Sequence, residues 1–414
     1  MIGVRNYAIV TAAYWAFTLT DGALRLLVLL HFHELGYTPV QLAFLFLFYE
    51  LFGIVTNLVG GWLAARTGLR FTLVLGLCLQ IMALGLLALL NRGWSMALSV
   101  AYVMACQALS GIAKDLTKMS AKSAVKVLVP AGDESGLFKW VALLTGSKNA
   151  LKGAGFFVGG VLLSTFGFRG ALAVMAGGVL VVLLFVLSSL PASIGQAKSK
   201  PPFKGVLSNS KGINRLSLAR LALFAARDVW FVVSVPIFLA SVLGWTFTQI
   251  GAFLALWVIA YGGVQSVSPI LLAKVTKGRA PGPAMASSLG LGLAAVTALI
   301  PIGLQAGAPP AWTMLGGLGL FGIVFALNSS VHSYLVLAYS EADRVSLSVG
   351  FYYMANAAGR LLGTLLSGLL YQKGGVTASL WGAVALASAA GIGALFLPAV
   401  ATTAVSWAGA KGDD

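Results

Sequence analysis

Charge is what this chain has least of. Only 9% of its 414 residues are Asp, Glu, Lys or Arg, where a soluble domain carries about 25%. Acids are the scarcer sign, 11 against 27 Lys and Arg, for a net charge of +16. So few charges cannot clothe a water-soluble globule. The nucleic-acid partner that +16 would suggest for a soluble protein is therefore not expected, and the basic residues are read against a membrane first. Cysteine is nearly absent. Cys78 and Cys106 fall in apolar runs, which leaves no disulfide framework and no thiolate site of recognisable spacing; both are expected to pack as small apolar groups. The three histidines include His31 and His33 before Glu34, which is not the metalloprotease spacing, so no metal is expected. No glycine-rich loop ending in Gly-Lys-Ser/Thr occurs, so the chain is not expected to hydrolyse ATP, and no cofactor is implied. No nucleophile, base and metal set stands out, so catalysis is not expected either. The first apolar run is too long for a cleaved signal peptide.

What is present is apolar. Hydrophobic residues make up 59% of the chain, with 50 glycines, and runs of about 20 apolar residues recur throughout, as in polytopic helical membrane proteins. Twelve spans are read, at 7–30, 40–64, 70–90, 96–119, 136–165, 170–190, 214–240, 248–272, 284–305, 311–339, 346–371 and 378–400. A polar stretch containing PASIGQAKSKPPFKG has no apolar period and reads as a linker. The expectation is an all-α membrane protein of twelve transmembrane helices in two six-helix halves, 1–190 and 214–403, with a cytoplasmic linker at 191–213 and a cytoplasmic tail at 404–414. An internal repeat supports the division: Leu35, Gly36, Thr38 and Gln41 recur as Leu243, Gly244, Thr246 and Gln249, and Phe17 and Asp21 answer to Phe224 and Asp228. Two parallel halves with a site between them near the midplane is a common transporter plan.

With the N-terminus inside, fifteen loop cations from Arg5 to Lys411 fall on the cytoplasmic side, against Arg92, Arg169 and Lys373 outside. That bias puts both termini in the cytoplasm. Trp94, Trp245 and Trp312 lie near span ends and read as interfacial anchors. Gly155 with Gly159, and Gly359 with Gly363, have the small-xxx-small spacing of close helix packing.

The informative residues are the charges left inside the spans. They are Arg25, Lys114, Lys118, Lys139, Lys148, Lys152, Arg220, Arg227 and Arg360, with the acids Asp21, Glu50, Asp115 and Asp228. Each unpaired charge at bilayer depth costs about 2.5–3.5 kcal/mol on the insertion scale, so such residues face a cavity or a partner. Asp21 with Arg25 is an i,i+4 pair, Asp115 reaches Lys118 at i,i+3, and Asp228 is expected to meet a base on another helix. Five cations remain after each acid takes one, which points to a small anionic substrate. The binding set expected is Arg25, Lys114, Lys118, Lys148, Lys152, Arg227 and Arg360. Lys122 and Lys126 continue the lysine stripe into solvent, and Lys139 and Arg220 read as anchors near span starts. Asp21, Glu50, Asp228 and His332 are the candidate proton carriers. Proton antiport and downhill uniport both fit, and a monomer is the default.

GGWLAARTGLR at 60–70 resembles the loop signature of the major facilitator superfamily, with Gly61, Arg66, Gly68 and Arg70 in the gating-loop positions and Ala65 where that pattern has an acid. A more specific likeness runs over most of the chain. YWAFTLTDGALR (14–25), FLFYE (46–50), ALSGIAKDLTKMSAK (108–122), LTGSKNALKG (144–153) and ARDVWFV (226–232) resemble the ArsJ family of organoarsenical efflux permeases. The resemblance implies export of 1-arseno-3-phosphoglycerate across the bacterial inner membrane, with resistance to arsenate as the outcome. It also implies a functional partner, a cytosolic glyceraldehyde-3-phosphate dehydrogenase that makes the ester with arsenate in place of phosphate. The residues themselves give only a small anion, and a carrier of another phosphate ester remains the alternative.

Overall fold

The computed structural model describes residues 2–91, 93–128, 134–191, 210–277, 281–340 and 345–399. All regular structure in them is helical. The N-terminal half comprises α1 (Ile2–Glu34), α2 (Pro39–Leu45), α3 (Leu47–Thr67), α4 (Leu69–Ala88), α5 (Met96–Leu128) and α6 (Glu134–Ser189). The C-terminal half comprises α7 (Lys211–Phe231), α8 (Ser234–Ser241), α9 (Phe247–Val275), α10 (Pro283–Gln305), α11 (Pro310–Ala338) and α12 (Val345–Leu395). Helices and crossings do not match one to one. Pairs α2/α3 and α7/α8 each form one broken crossing. Conversely, α6 folds back at Gly167 (φ 65°) and α12 at Gly374 and Gly375 (φ 64° at the latter), so each of them crosses twice. Glycine is needed at both positive-φ corners, where a Cβ would be strained. The result is the twelve-helix membrane fold expected from the apolar runs. Most of the expected linker, 192–209, and the tail lie outside the described residues.

The repeat is visible as structure. Thr38 caps α2 and Thr246 caps α9, each in a reciprocal box with the glutamine three residues on, Gln41 or Gln249. The preceding Gly36 (φ 82°) and Gly244 (φ 67°) make the same left-handed turn. Position in the bundle repeats as well. In Arg5–Glu34 and Lys211–Ser241, 83% of the most apolar stretch is buried, against 33–50% in the other spans. Thus α1 and α7/α8 are the inner helices of their halves, and the charges they carry face protein rather than lipid. Apolar side chains such as Val181, Ile270 and Leu299 cover the outside, as a bilayer-facing surface requires.

Small residues bring the inner helices close. A Cβ on Gly159 would stand 2.5 Å from the Ala23 carbonyl oxygen, and one on Gly363 2.8 Å from that of Ala225. The small-xxx-small reading therefore holds for α6 on α1 and for α12 on α7. Gly159→Val is expected to destabilise the protein by about 1–3 kcal/mol through overpacking. The check is a lowered midpoint of thermal unfolding in detergent, with Gly177→Val, which meets nothing within 4 Å, as the control.

Candidate functional site

Six helices bring charge together where the halves meet. Asp21 and Arg25 come from α1, Glu50 from α3, and Lys114, Asp115 and Lys118 from α5; Lys152 comes from α6, Arg227 and Asp228 from α7, and Arg360 from α12. The halves meet through one carboxylate. Glu50 Oε1 accepts from Arg25 Nη1 at 2.9 Å and from Arg360 Nη2, across the interface, at 2.6 Å. Arg360 Nε also reaches Asp228 Oδ2 at 3.4 Å, and Asp228 Oδ1 accepts from Arg227 Nε at 2.6 Å. The chain Arg25–Glu50–Arg360–Asp228–Arg227 thus runs continuously from one half into the other.

On α5, Lys118 bonds Asp115 at 2.6 Å, as its spacing predicts, and Thr56 donates to the same carboxylate at 3.0 Å. The Lys118 ammonium also donates to Asn57 Oδ1. Lys114 lies 3.9 Å from Asp115 and stands over the Tyr49 ring at 4.1 Å. Asp228 finds its base on another helix, as expected. The pairing of Asp21 is different. Its Oδ1 accepts from Tyr49 Oη at 2.6 Å, while Arg25 turns to Glu50 and stacks over Phe46 and Tyr49. The i,i+4 rule describes an isolated helix; here α3 supplies a better-placed carboxylate and the Tyr49 face, and Phe46 at the break between α2 and α3 supplies the other.

Depth sorts the two signs. Side chains of Lys114, Lys118, Arg227 and Arg360 are 15–19% exposed, whereas those of Asp115, Glu50 and Asp228 are 0–2% exposed. The carboxylates are thus more deeply buried than the bases paired with them, including Arg25 at 10%. Six bases (Arg25, Lys114, Lys118, Lys152, Arg227, Arg360) stand with four acids (Asp21, Glu50, Asp115, Asp228), an excess of two positive charges. The Lys152 ammonium has no hydrogen bond or ion pair among the described residues, though Asp21, Arg25, Lys114 and Arg360 are within electrostatic reach. Lys148 sits one turn away on α6, partly buried.

Some expected residues stand elsewhere. Arg220 is not an anchor. It is buried between α7, α11 and α12, donating to Asn356 Oδ1 at 3.0 Å and Ser329 Oγ at 3.0 Å and stacking on Phe224 and Tyr352. Its place seven residues before Arg227 keeps it on the same inward face of α7, and that spacing was the signal that its nearness to the span start obscured. His332 is buried near Arg220 with neither ring nitrogen bonded, apart from the Glu50 chain. His31 and His33 lie in the last turn of α1; His31 stacks on Phe168 and His33 bonds Ser241. In the gating-loop segment, Gly68 makes a positive-φ turn (φ 88°) and Arg70 donates to the Leu187 carbonyl at 2.9 Å. The side chains of Gly61, Arg66, Lys122, Lys126 and Lys139 lie outside those described. Tyr49 was missed, because a tyrosine in an apolar run has no charge to draw attention.

On the side of the Gly36 and Gly244 turns the halves are joined. His33 bonds Ser241, Val40 N donates to Gln372 Oε1 at 3.3 Å, and Ser164 bonds Thr248 at 3.4 Å. Below them Phe156 meets Phe231 at 5.8 Å. The charged cluster therefore lies under an aromatic and polar seal.

A family model described as the Major Facilitator Superfamily matches residues 9–303. No curated protein matches at a significant level. Among solved structures, the chain is similar to a POT family transporter in complex with a thioalcohol-conjugated peptide, at 15% identity and TM-score 0.73, over 94% of this chain and 95% of that one. A POT family transporter in complex with 5-aminolevulinic acid is similar at 16% identity and TM-score 0.72, again over 94% of this chain and 95% of that one. A POT peptide transporter in complex with sulfate follows at 15% identity and TM-score 0.71, over 94% and 92%. At such identities the likeness establishes the fold alone.

Proposed function

This chain belongs to the major facilitator superfamily, and starting from its being a multi-pass secondary transporter of a small solute, we propose that the solute is a multiply charged organic anion leaving the cell. The observation that carries the reading is the sorting of charge at the interface. Cations exceed carboxylates, are less deeply buried than they are, and come from both halves. An anion bridging the halves supplies the missing negative charge. The lysines of α5 and α6 hold one end, and Arg227 and Arg360 hold the other, where Arg25 meets Arg360 at the shared Glu50 Oε1. Arginine suits two-pronged contact with a tetrahedral oxyanion, and lysine acts as a point charge.

Within that class the substrate is 1-arseno-3-phosphoglycerate, which the sequence resemblance supplies. The ester has an anionic group at each end, matching two cation groups on opposite halves. The loop-cation bias places both termini in the cytoplasm of a bacterial cell, and the outward direction is what the sequence resemblance implies. With the cell interior negative, an anion leaving it releases about 2.3 kcal/mol per charge per 100 mV. Cytosolic synthesis by glyceraldehyde-3-phosphate dehydrogenase and breakdown of the labile ester outside keep the gradient downhill. No coupling ion is then required; for proton antiport the candidates are Asp21, Glu50 and Asp228, whose partners are Tyr49, Arg25 with Arg360, and Arg227 with Arg360.

The test is growth in arsenate of a sensitive bacterial strain expressing this chain, with and without the dehydrogenase. Resistance only with both proteins is expected. Equal resistance without the dehydrogenase, or none with both while the chain is in the membrane, contradicts the assignment of substrate.

A further inference from the structure

We propose that Glu50 is an internal counter-anion. In the empty carrier it occupies guanidinium groups that the anionic solute takes over, and so allows the two halves to close and return without a passenger. The inference rests on the anion-export reading above and deepens it, because it decides between net export and obligatory exchange.

Glu50 sits where the halves touch, and its carboxylate is almost wholly buried. One of its oxygens, Oε1, serves donors from opposite halves, Arg25 on α1 and Arg360 on α12. The fit is incomplete. Glu50 Oε2 and Arg25 Nη2 are both buried with no hydrogen-bond partner. A carboxylate has two oxygens and is tethered to α3, so it cannot satisfy every donor gathered around it. A phosphate or arsenate ester end brings three free oxygens and more negative charge. The solute therefore displaces Glu50 when present, and Glu50 resumes its place when the solute leaves.

The consequence concerns the return step. A ligand moves a two-state carrier only through contacts that differ between the states. Closing two halves over uncompensated cations is strongly unfavourable, as in any buried pair that has lost one partner. A carrier without an internal anion would then cross only when loaded and would exchange rather than export. Glu50 fills that role for Arg25 and Arg360, while Asp228 holds Arg227 closely and reaches Arg360 only at 3.4 Å, within the C-terminal half. Asp115 stays with Lys118 on its own helix and does not link the halves. That leaves Glu50 as the carboxylate whose pairing spans the interface most closely.

The experiment uses the full-length protein in liposomes with labelled 3-phosphoglycerate as probe and the membrane potential held at zero. Two rates are read: exchange, with probe on both sides, and net efflux into anion-free medium. Wild type is expected to show net efflux at a rate comparable to exchange. In Glu50→Gln the half-saturating concentration for exchange falls several-fold, because a competitor is gone, while net efflux drops at least about tenfold. Glu50→Asp, which keeps the charge, restores net efflux. Loss of both modes together in Glu50→Gln, or wild-type net efflux in it, overturns the inference. If wild type carries no 3-phosphoglycerate in either mode, the export reading is what fails for this probe. The counter-anion is then judged on ligand-free protein, from the distance distribution between spin labels at Pro39 and Gln372. Several distances in wild type that collapse to one in Glu50→Gln support it, and identical distributions refute it.

Discussion

Arg360→Ala is expected to abolish export, lowering the transport rate by at least about 100-fold. Among the described residues, Arg360 is the base that contacts carboxylates of both halves, Glu50 at 2.6 Å and Asp228 at 3.4 Å. Its removal leaves two buried acids short of a partner as well as depriving the solute of a guanidinium. Breaking a buried pair in this way costs about 3–5 kcal/mol, and each 1.4 kcal/mol is a factor of ten. Arg360→Lys keeps the charge but cannot reach both acids with separate nitrogens, so it should recover only a small part of the rate. The measurement is initial efflux from liposomes at equal protein density, with membrane insertion checked by size-exclusion chromatography of the extracted protein. Wild-type efflux from Arg360→Ala would remove the inter-half guanidinium from the mechanism.

Lys152→Gln is the second large effect, and its signature is opposite in stability. Lys152 has no internal hydrogen bond or ion pair among the described residues, so deleting its charge leaves no carboxylate orphaned. An unpaired cation at this depth opposes folding. The variant should therefore unfold at a higher temperature than wild type while its half-saturating concentration for the anion rises by about 30-fold or more, the usual effect of losing one member of a buried charge pair. Such a trade of stability against function marks a residue kept for its ligand. If Lys152→Gln is less stable and binds normally, the ammonium has a structural partner and no solute role.

The contrast between these two residues shows what could be read from the chain and what could not. Twelve crossings, the repeat and the presence of spare cations follow from apolar run length and from counting charges, because the bilayer tolerates few alternatives. Thr38 and Thr246 were legible as members of the repeat, and the structure adds that each caps a helix. Asp115 with Lys118 was legible from spacing on one helix, and Asp228 was expected to meet another helix without its partner Arg360 being named, whereas the one-helix pairing of Asp21 with Arg25 did not form. Partners on different helices depend on how α1, α3, α7 and α12 are rotated against one another, which no spacing encodes. Hence Asp21 found Tyr49, and Arg25 found Glu50. Arg220 was misplaced for a related reason. Nearness to a span start suggests snorkelling, but α7 is an inner helix with little access to the lipid headgroups. Its burial is set by glycine contacts such as Gly359 against Leu221 and Gly363 against Ala225.

Export of an arsenate ester is tested most directly in inside-out membrane vesicles containing this chain. They would be supplied with glyceraldehyde-3-phosphate dehydrogenase, its substrate and nicotinamide cofactor, and radiolabelled arsenate. Label should accumulate in the vesicles only when dehydrogenase and transporter are both present, and Arg360→Ala vesicles should behave as empty ones. Accumulation of label without the dehydrogenase would mean that arsenate itself is carried. No accumulation with every component active would contradict the ester as substrate.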